Sequence, residues 1–319
     1  MKIITFEQIK KLNTSSSEYY QWIDDVLRHR EDYQMPTKTR IKLSEADYFN
    51  VMPCATPKKD DFIGAKIVSR NELRHQKGGL NLDSQIYLFQ QSTCELLAVM
   101  DGTYITTVRT AAVAAHTFLN LVDSYETISM VGLGNIGTSI GEILFPKLPK
   151  NKKIQIKLFK YKDHAERFKK RFAKYNQINF EIVDNYDDLM KNSDVIISSV
   201  SFIDQDFCDE KIYKPGCTII PVHMRGFMEC DKTFDHIIAS DMERIKGFKY
   251  YDYYKKLSST DDVLFNHKPL REKPTDRVII YNLGLSITDL YFAGKIYHKL
   301  SDKIPDVPEQ LAPSENFYM

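Results

Sequence analysis

Residues 127–137 read TISMVGLGNIG, and the fold follows from them. The apolar run Ile128–Val131 enters Gly132-Leu133-Gly134-Asn135-Ile136-Gly137, inside which a helical pattern, NIGTSIGEILF, begins. A G-x-G-x-x-G between a strand and a helix suits a pyrophosphate. Gly132 makes the tight turn, Gly134 lets the backbone approach the phosphates, and Gly137 lets the helix pack close on the strand. The N–H groups and positive dipole end of the first helical turn then face the anion. Gly132, Gly134, Asn135, Ile136 and Gly137 are the expected dinucleotide cradle, with Ser199, at the end of DVIISSV, as a further contact. The competing reading is a structural glycine turn in a domain that binds something else.

Outward from this loop the chain alternates. KIQIKLF, INFEIV, DVIISSV, CTIIPV and DHIIAS have the apolar character of strands, and DHAERFKKRFAKY and YDDLMKN that of helices. Such alternation predicts a parallel sheet with crossover helices. An NAD-specific site places an acid after the second strand, where it accepts the ribose 2′-hydroxyl. Here KIQIKLF ends in Lys160-Tyr161-Lys162. A cation there suits a 2′-phosphate, a charge-assisted bond of about 1.5–3 kcal/mol, so NADP(H) is favoured over NAD(H). The alternative is a solvated lysine run, with Asp163 capping the next helix.

The first third is mixed. TFEQIKKLN and SSEYYQWIDDVLRHREDY have helical spacing, FIGAKIVSR and SQIYLFQQ alternate as strands around a GGLNLD turn, and ELLAVMDGTY follows them. GTYITTVRTAAVAAHTFLNLV is a long helix with small residues on one face. The closing RVIIYNLGLSITDLYFAGKIYHKL gives a strand, a glycine turn and a helix that a minimal dinucleotide fold does not need. The expectation is a Rossmann-type doubly wound parallel sheet at 123–284, plus a discontinuous α+β substrate and dimerisation domain from 1–122 and 285–319. Between Gly247 and Thr275 the chain reads as irregular, its Tyr-rich part from Phe248 to Tyr254 serving as a lid or a packing surface.

The 319 residues include 44 Lys+Arg and 43 Asp+Glu, a net charge of +1, so no global field attracts nucleic acid or an anionic membrane. Only a local basic site stays open. Apolar stretches fall short of the roughly 20 residues of a membrane span, and MKIITFEQIKKLN turns polar too soon for a secretory signal, so a cytoplasmic protein is expected. The five cysteines form no CxxC, which suggests reduced, mostly buried thiols and no metal site.

GAKIVS, ITTVRTAA, VGLGNIG and the closing NLGLSITDL, taken in order, make the chain resemble the ornithine cyclodeaminase/mu-crystallin family over nearly its whole length. The resemblance implies a homodimer that uses NAD(P). It also implies that Lys66 and Arg109 hold a substrate α-carboxylate, with Lys38 or Arg40 as the third cation. Without it, Arg109 reads equally as a surface ion pair and Lys66 as a snorkelling lysine. The pattern departs from ornithine cyclisation at two places. Arg225 stands where the family's cyclodeaminases carry a catalytic Asp, and Asn50 where they carry the acid for the distal amino group. Arginine is never deprotonated and cannot replace that base. Arg225 then suggests a second anionic substrate group or a cofactor contact. His223, two residues earlier, is a candidate proton donor, or else a histidine bonded at a strand end.

The resulting expectation is an NAD(P)-dependent oxidoreductase at the C–N bond of a small α-imino or α-amino acid. Its rivals are an NAD-dependent synthase or cyclodeaminase without net redox, and a crystallin-like dinucleotide-binding protein without catalysis.

Overall fold

The structure is a computed structural model, described here for residues 1–308. Residues 309–319, assigned above to the discontinuous domain, lie outside the described residues. The chain forms two compact units. The first comprises Met1–Thr14, His29–Thr106 and the chain from Ser286; the second comprises Ser15–Arg28 and Thr107–Leu285.

The first unit is built on a six-stranded mixed sheet of β1 (Lys2–Ile4), β2 (Thr39–Lys42), β3 (Tyr48–Ala55), β4 (Phe62–Arg70), β5 (Leu82–Gln90) and β6 (Leu96–Asp101). Its order is β1-β6-β5-β4-β3-β2, with β1 parallel to β6 and the other pairs antiparallel. Side chains alternate across such a sheet. In β4, Phe62, Gly64, Lys66, Val68 and Arg70 are buried, and the residues between them are less so. The helix Ser286–Leu300 packs across β3, β4 and β5 on the buried face. Gly294 permits that approach, since a Cβ there would lie 2.9 Å from the Phe62 ring. Pro53 sits past Val51, the last residue of β3 paired with β2, so its missing N–H removes no bond to that strand.

The second unit is an eight-stranded, wholly parallel sheet of β7 (Thr127–Val131), β8 (Ile154–Phe159), β9 (Ile178–Val183), β10 (Val195–Ser198), β11 (Thr218–Pro221), β12 (His236–Ala239), β13 (Leu257–Ser259) and β14 (Val278–Tyr281). The order β13-β12-β14-β11-β10-β7-β8-β9 reverses direction between β7 and β10. That is the topological switch point of a doubly wound fold, where ligands bind beyond the carboxyl ends of the strands. All residues of β10, β11, β12 and β14 are buried, as expected for parallel strands covered on both faces.

The division between the units falls between Thr106 and Thr107, within the helix Gly102–Leu121, whereas the sequence reading puts it after residue 122. The helix Ser16–Arg28 also falls in the second unit. Tyr19, Trp22, Ile23, Val26 and Leu27 form its buried stripe, and it packs on the helix Asn135–Leu144. Ser15 and Glu18 close its start as a capping box, and Asp24 reaches His116 Nε2 at 2.9 Å. Ala111, Ala112, Ala114 and Ala115 are fully buried in the long helix.

Four strands differ from the sequence reading, β1 and β3 among them. TRIK forms β2, an edge strand with four exposed residues and hence no apolar alternation, and LSS forms β13 inside the stretch read as irregular. Phe248 stacks edge-on against Tyr281, so this part of the Tyr-rich segment is a packing surface. All five cysteines are free, three of them buried. No helix of the described residues is long and apolar enough to cross a membrane.

Candidate functional site

The glycine loop lies at the carboxyl end of β7. Gly132 adopts φ +84°, and a Cβ on it would meet the Ser199 carbonyl carbon at 2.5 Å. A Cβ on Gly137 would meet Gly132 O at 2.3 Å and Ser199 Oγ at 3.0 Å. Around Gly134 nothing lies within 4 Å of that position. Two glycines are therefore needed for packing, and the third leaves open space where a pyrophosphate would approach. Gly134 is the N-cap of the helix Asn135–Leu144 and supplies no side-chain cap, which leaves first-turn N–H groups available. Asn135 is exposed and Ile136 half-buried. Ser199 donates its hydroxyl to Gly132 O at 2.6 Å, so it braces the loop from β10. These residues fit the diphosphate of a dinucleotide.

The three positions predict different failures. Gly137→Ala overpacks backbone and should lower Tm by about 4–8 °C, on about 2 kcal/mol of strain. Gly134→Ala should leave Tm unchanged and weaken dinucleotide binding, as thermal melts and a fluorescence titration would show.

Lys160 follows β8, is exposed, and donates its backbone N–H to Val183 O. Asp163, the cap of the alternative reading, holds the N-cap position of the next helix. It makes no side-chain cap bond and instead pairs with Arg167 at 3.2 Å, one helical turn on.

Arg109 is buried in the long helix, 6% exposed. A Cβ on Gly284 would stand 3.2 Å from its Nη2 and 3.3 Å from its Nη1, so the closing NLG turn makes room for the guanidinium. Thr117, two turns further along, donates to Asn282 Oδ1 at 3.0 Å and ties the helix to the same turn.

His223 follows β11. Its Nε2 lies 2.5 Å from Ser198 Oγ, and its ring is near Phe207 and Phe227. Burial pushes its pKa down to about 4, against a smaller upward effect of a backbone hydrogen bond at Arg225. The lowered pKa favours the neutral ring, whose Nε2 is the atom in contact with Ser198. Arg225 is exposed, with its guanidinium 5.8 Å from the Phe202 ring centroid.

In the first unit the register brings expected residues onto one face. Arg40 pairs with Asn50, Asn50 with Val68, and Met52 with Lys66. Arg40 is exposed and lies 4.4 Å over the Tyr48 ring, while Lys38 is half-buried just before β2. Asn50 is 4% exposed, and its Oδ1 has no hydrogen-bond partner among the described residues. Lys66 Nζ lies 2.6 Å from Asp289 Oδ2, with both side chains 2% exposed. Sequence reasoning missed Asp289. Its signal was an acid on the apolar face of SITDLYFAGKIY, where a charge is buried only with a partner.

The model of the ornithine cyclodeaminase/mu-crystallin family matches residues 2–304. A curated relative, the nodulation efficiency protein NfeD of Rhizobium meliloti, is 24% identical over 287 residues, covering 88% of this chain and 86% of that one. Among solved structures, the Δ1-pyrroline-2-carboxylate reductase of Thermococcus litoralis, in complex with NADH and L-proline, superposes with a TM-score of 0.81 at 17% identity, over 96% of this chain and 100% of that one. An archaeal alanine dehydrogenase dimer with bound NAD gives 0.78 at 20% identity, over 95% and 97%. At these identities the structural likeness establishes the fold.

Proposed function

Because the chain belongs to the ornithine cyclodeaminase/mu-crystallin family, we propose that it is an NAD(P)-dependent oxidoreductase acting on the C–N bond of a small α-imino or α-amino acid. The observation that carries this reading is the Gly132–Gly137 loop at the β7/β10 switch point, open at Gly134 and braced by Ser199. The names of the two similar structures, a pyrroline-2-carboxylate reductase with NADH and an alanine dehydrogenase with NAD, support the reaction class.

The dinucleotide supplies or accepts the hydride; the chain supplies position and charge. Arg109 and Lys66 bind the substrate carboxylate, and Arg40 or Lys38 assists. Fixing an anion with cations keeps its α-carbon within hydride reach. Asn50, a neutral amide on the face of Lys66, suits a polar substrate side chain better than a cationic one. This argues against ornithine as substrate. Lys160 favours the 2′-phosphate of NADP(H). A homodimer would cover the other face of the first sheet, where Phe49 and Ile63 are 38% and 37% exposed.

Arg225, exposed and in no ion pair among the described residues, favours a second reading. In it the enzyme joins two amino-acid fragments, Arg225 holds the extra carboxylate, and the dinucleotide is not consumed.

Parallel titrations with NADPH and NADH, followed by a panel of cyclic and linear imino acids, test the proposal. Tighter NADPH binding with oxidation by an imino acid is expected, and Lys160→Asp should reverse the preference. Arg109→Ala should lower kcat/KM about 10- to 100-fold and leave cofactor affinity intact. Unchanged turnover in that variant would remove the carboxylate assignment. Dinucleotide binding without turnover on any member of the panel would favour the synthase or a non-catalytic binding protein.

A further inference from the structure

Residues 147–177 hold twelve Lys and Arg against only Asp163 and Glu166, in a chain whose net charge is +1. The dinucleotide reading uses only Lys160 of this stretch. The structure gathers part of the remainder around a cavity of about 540 Å³, whose lining includes Lys150, Lys152, Lys153, Lys174, Tyr175 and Gln177 and no carboxylate among the described residues. The cavity is formed by the segments that enter β8 and β9. It therefore lies at the amino-terminal ends of the parallel strands. The glycine loop lies at their carboxyl ends, about 20 Å away along a six-residue strand.

Two of the four ammonium groups are held in place by neutral acceptors. Lys152 Nζ donates to Tyr125 O at 2.5 Å and Lys153 Nζ to Asn176 O at 2.8 Å. Lys174 Nζ lies 5.3 Å over the Tyr175 ring, whose other contacts are to Phe145 and Phe172 in the interior. Elsewhere on this unit exposed lysines find acids, as Lys246 finds Glu243 and Lys268 finds Asp262. Here four cations surround one concavity without a counter-charge among the described residues, an arrangement that focuses positive potential and concentrates anions.

The chemistry of the lining narrows the ligand. Lysine is a compact point charge with three rotatable donors and binds phosphate as such, without the planar fork by which arginine grips carboxylates and phosphates alike. Among the described residues the lining holds lysines and no arginine. Its volume falls within the roughly 300–1,000 Å³ of small-molecule sites, more than one tetrahedral anion fills. We infer that this cavity binds a small polyanion carrying two or more phosphate groups, at a site separate from the glycine loop.

The test is calorimetric titration of the full chain with sodium tripolyphosphate at about 50 mM salt, where surface charges are weakly screened. A saturable site that persists in Gly134→Ala is expected. Binding should weaken about tenfold or more in the Lys150→Ala/Lys174→Ala double variant. It should be unchanged in Lys169→Ala, which belongs to the same basic stretch outside the cavity, and in Gly134→Ala. Loss of binding in Gly134→Ala would place the anion in the glycine loop and overturn the proposal. So would equal weakening in Lys169→Ala, the absence of saturable heat, or tighter binding of a single-stranded oligonucleotide than of tripolyphosphate. The proposal does not depend on the enzymatic reading, because neither the probe nor the readout requires turnover.

Discussion

Asp289→Ala will destabilise the protein by about 3–5 kcal/mol, because it leaves the Lys66 ammonium buried without its counter-charge. The two side chains meet at 2.6 Å and are 2% exposed, so little solvent screens the loss. Lys66→Met will cost a similar amount by stranding the carboxylate. The double variant Lys66→Met/Asp289→Leu should recover most of the stability, since replacing a buried pair with apolar groups of similar volume is often neutral. On the proposed function it recovers no activity, because the carboxylate anchor is gone. Urea unfolding of the native chain, Lys66→Met, Asp289→Leu and the double variant gives the coupling energy. A double variant no more stable than either single one would show that the pair's surroundings, rather than its charges, carry the effect.

A second large effect concerns pH. Asp231 is buried in the second unit, and burial raises its pKa to about 7; Asp206 pushes the same way, while hydrogen bonds from Tyr281 and Tyr254 pull it down. Tyr281 donates to its Oδ1 at 2.8 Å. The folded carboxyl therefore holds its proton to higher pH than the unfolded one, whose ordinary value is near 3.9. Its contribution to stability is fully present below about pH 4 and is lost as pH rises towards about 7. Three units amount to about 4 kcal/mol. Asp231→Asn keeps an oxygen to accept from Tyr281 and cannot ionise. It should be about 2–4 kcal/mol more favourable at pH 8 than at pH 4, measured by urea unfolding against the native chain at each pH. An equal difference at the two pH values would show that the carboxyl ionises as it does in water.

What could be read in the sequence was local backbone chemistry. Gly132, Gly134 and Gly137 declare a turn and two close approaches within six residues, and the apolar runs around them declare parallel strands. The closing helix stood out because it had no place in the nucleotide fold, and it packs on β3, β4 and β5. What escaped was carried by long-range pairing or by edges. Lys66 and Asp289 are 223 positions apart, and only the register of the helix against β4 joins them. TRIK in β2 has no buried face to produce a pattern, and LSS in β13 is too short to show one. His223 was visible as a histidine at a strand end. The surroundings that lower its pKa and its contact with Ser198 were not.

The helix Ser16–Arg28 contains the chain's single tryptophan, Trp22, 6% exposed and packed within the second unit although it precedes most of the first in sequence. Indole emission is thereby a private signal of the glycine-loop unit, whereas far-ultraviolet dichroism sums over both. Recording both probes through one denaturant series reads the cooperativity between the units directly: superimposed curves mean they melt as one, and an emission change displaced from the dichroism change means each has its own transition.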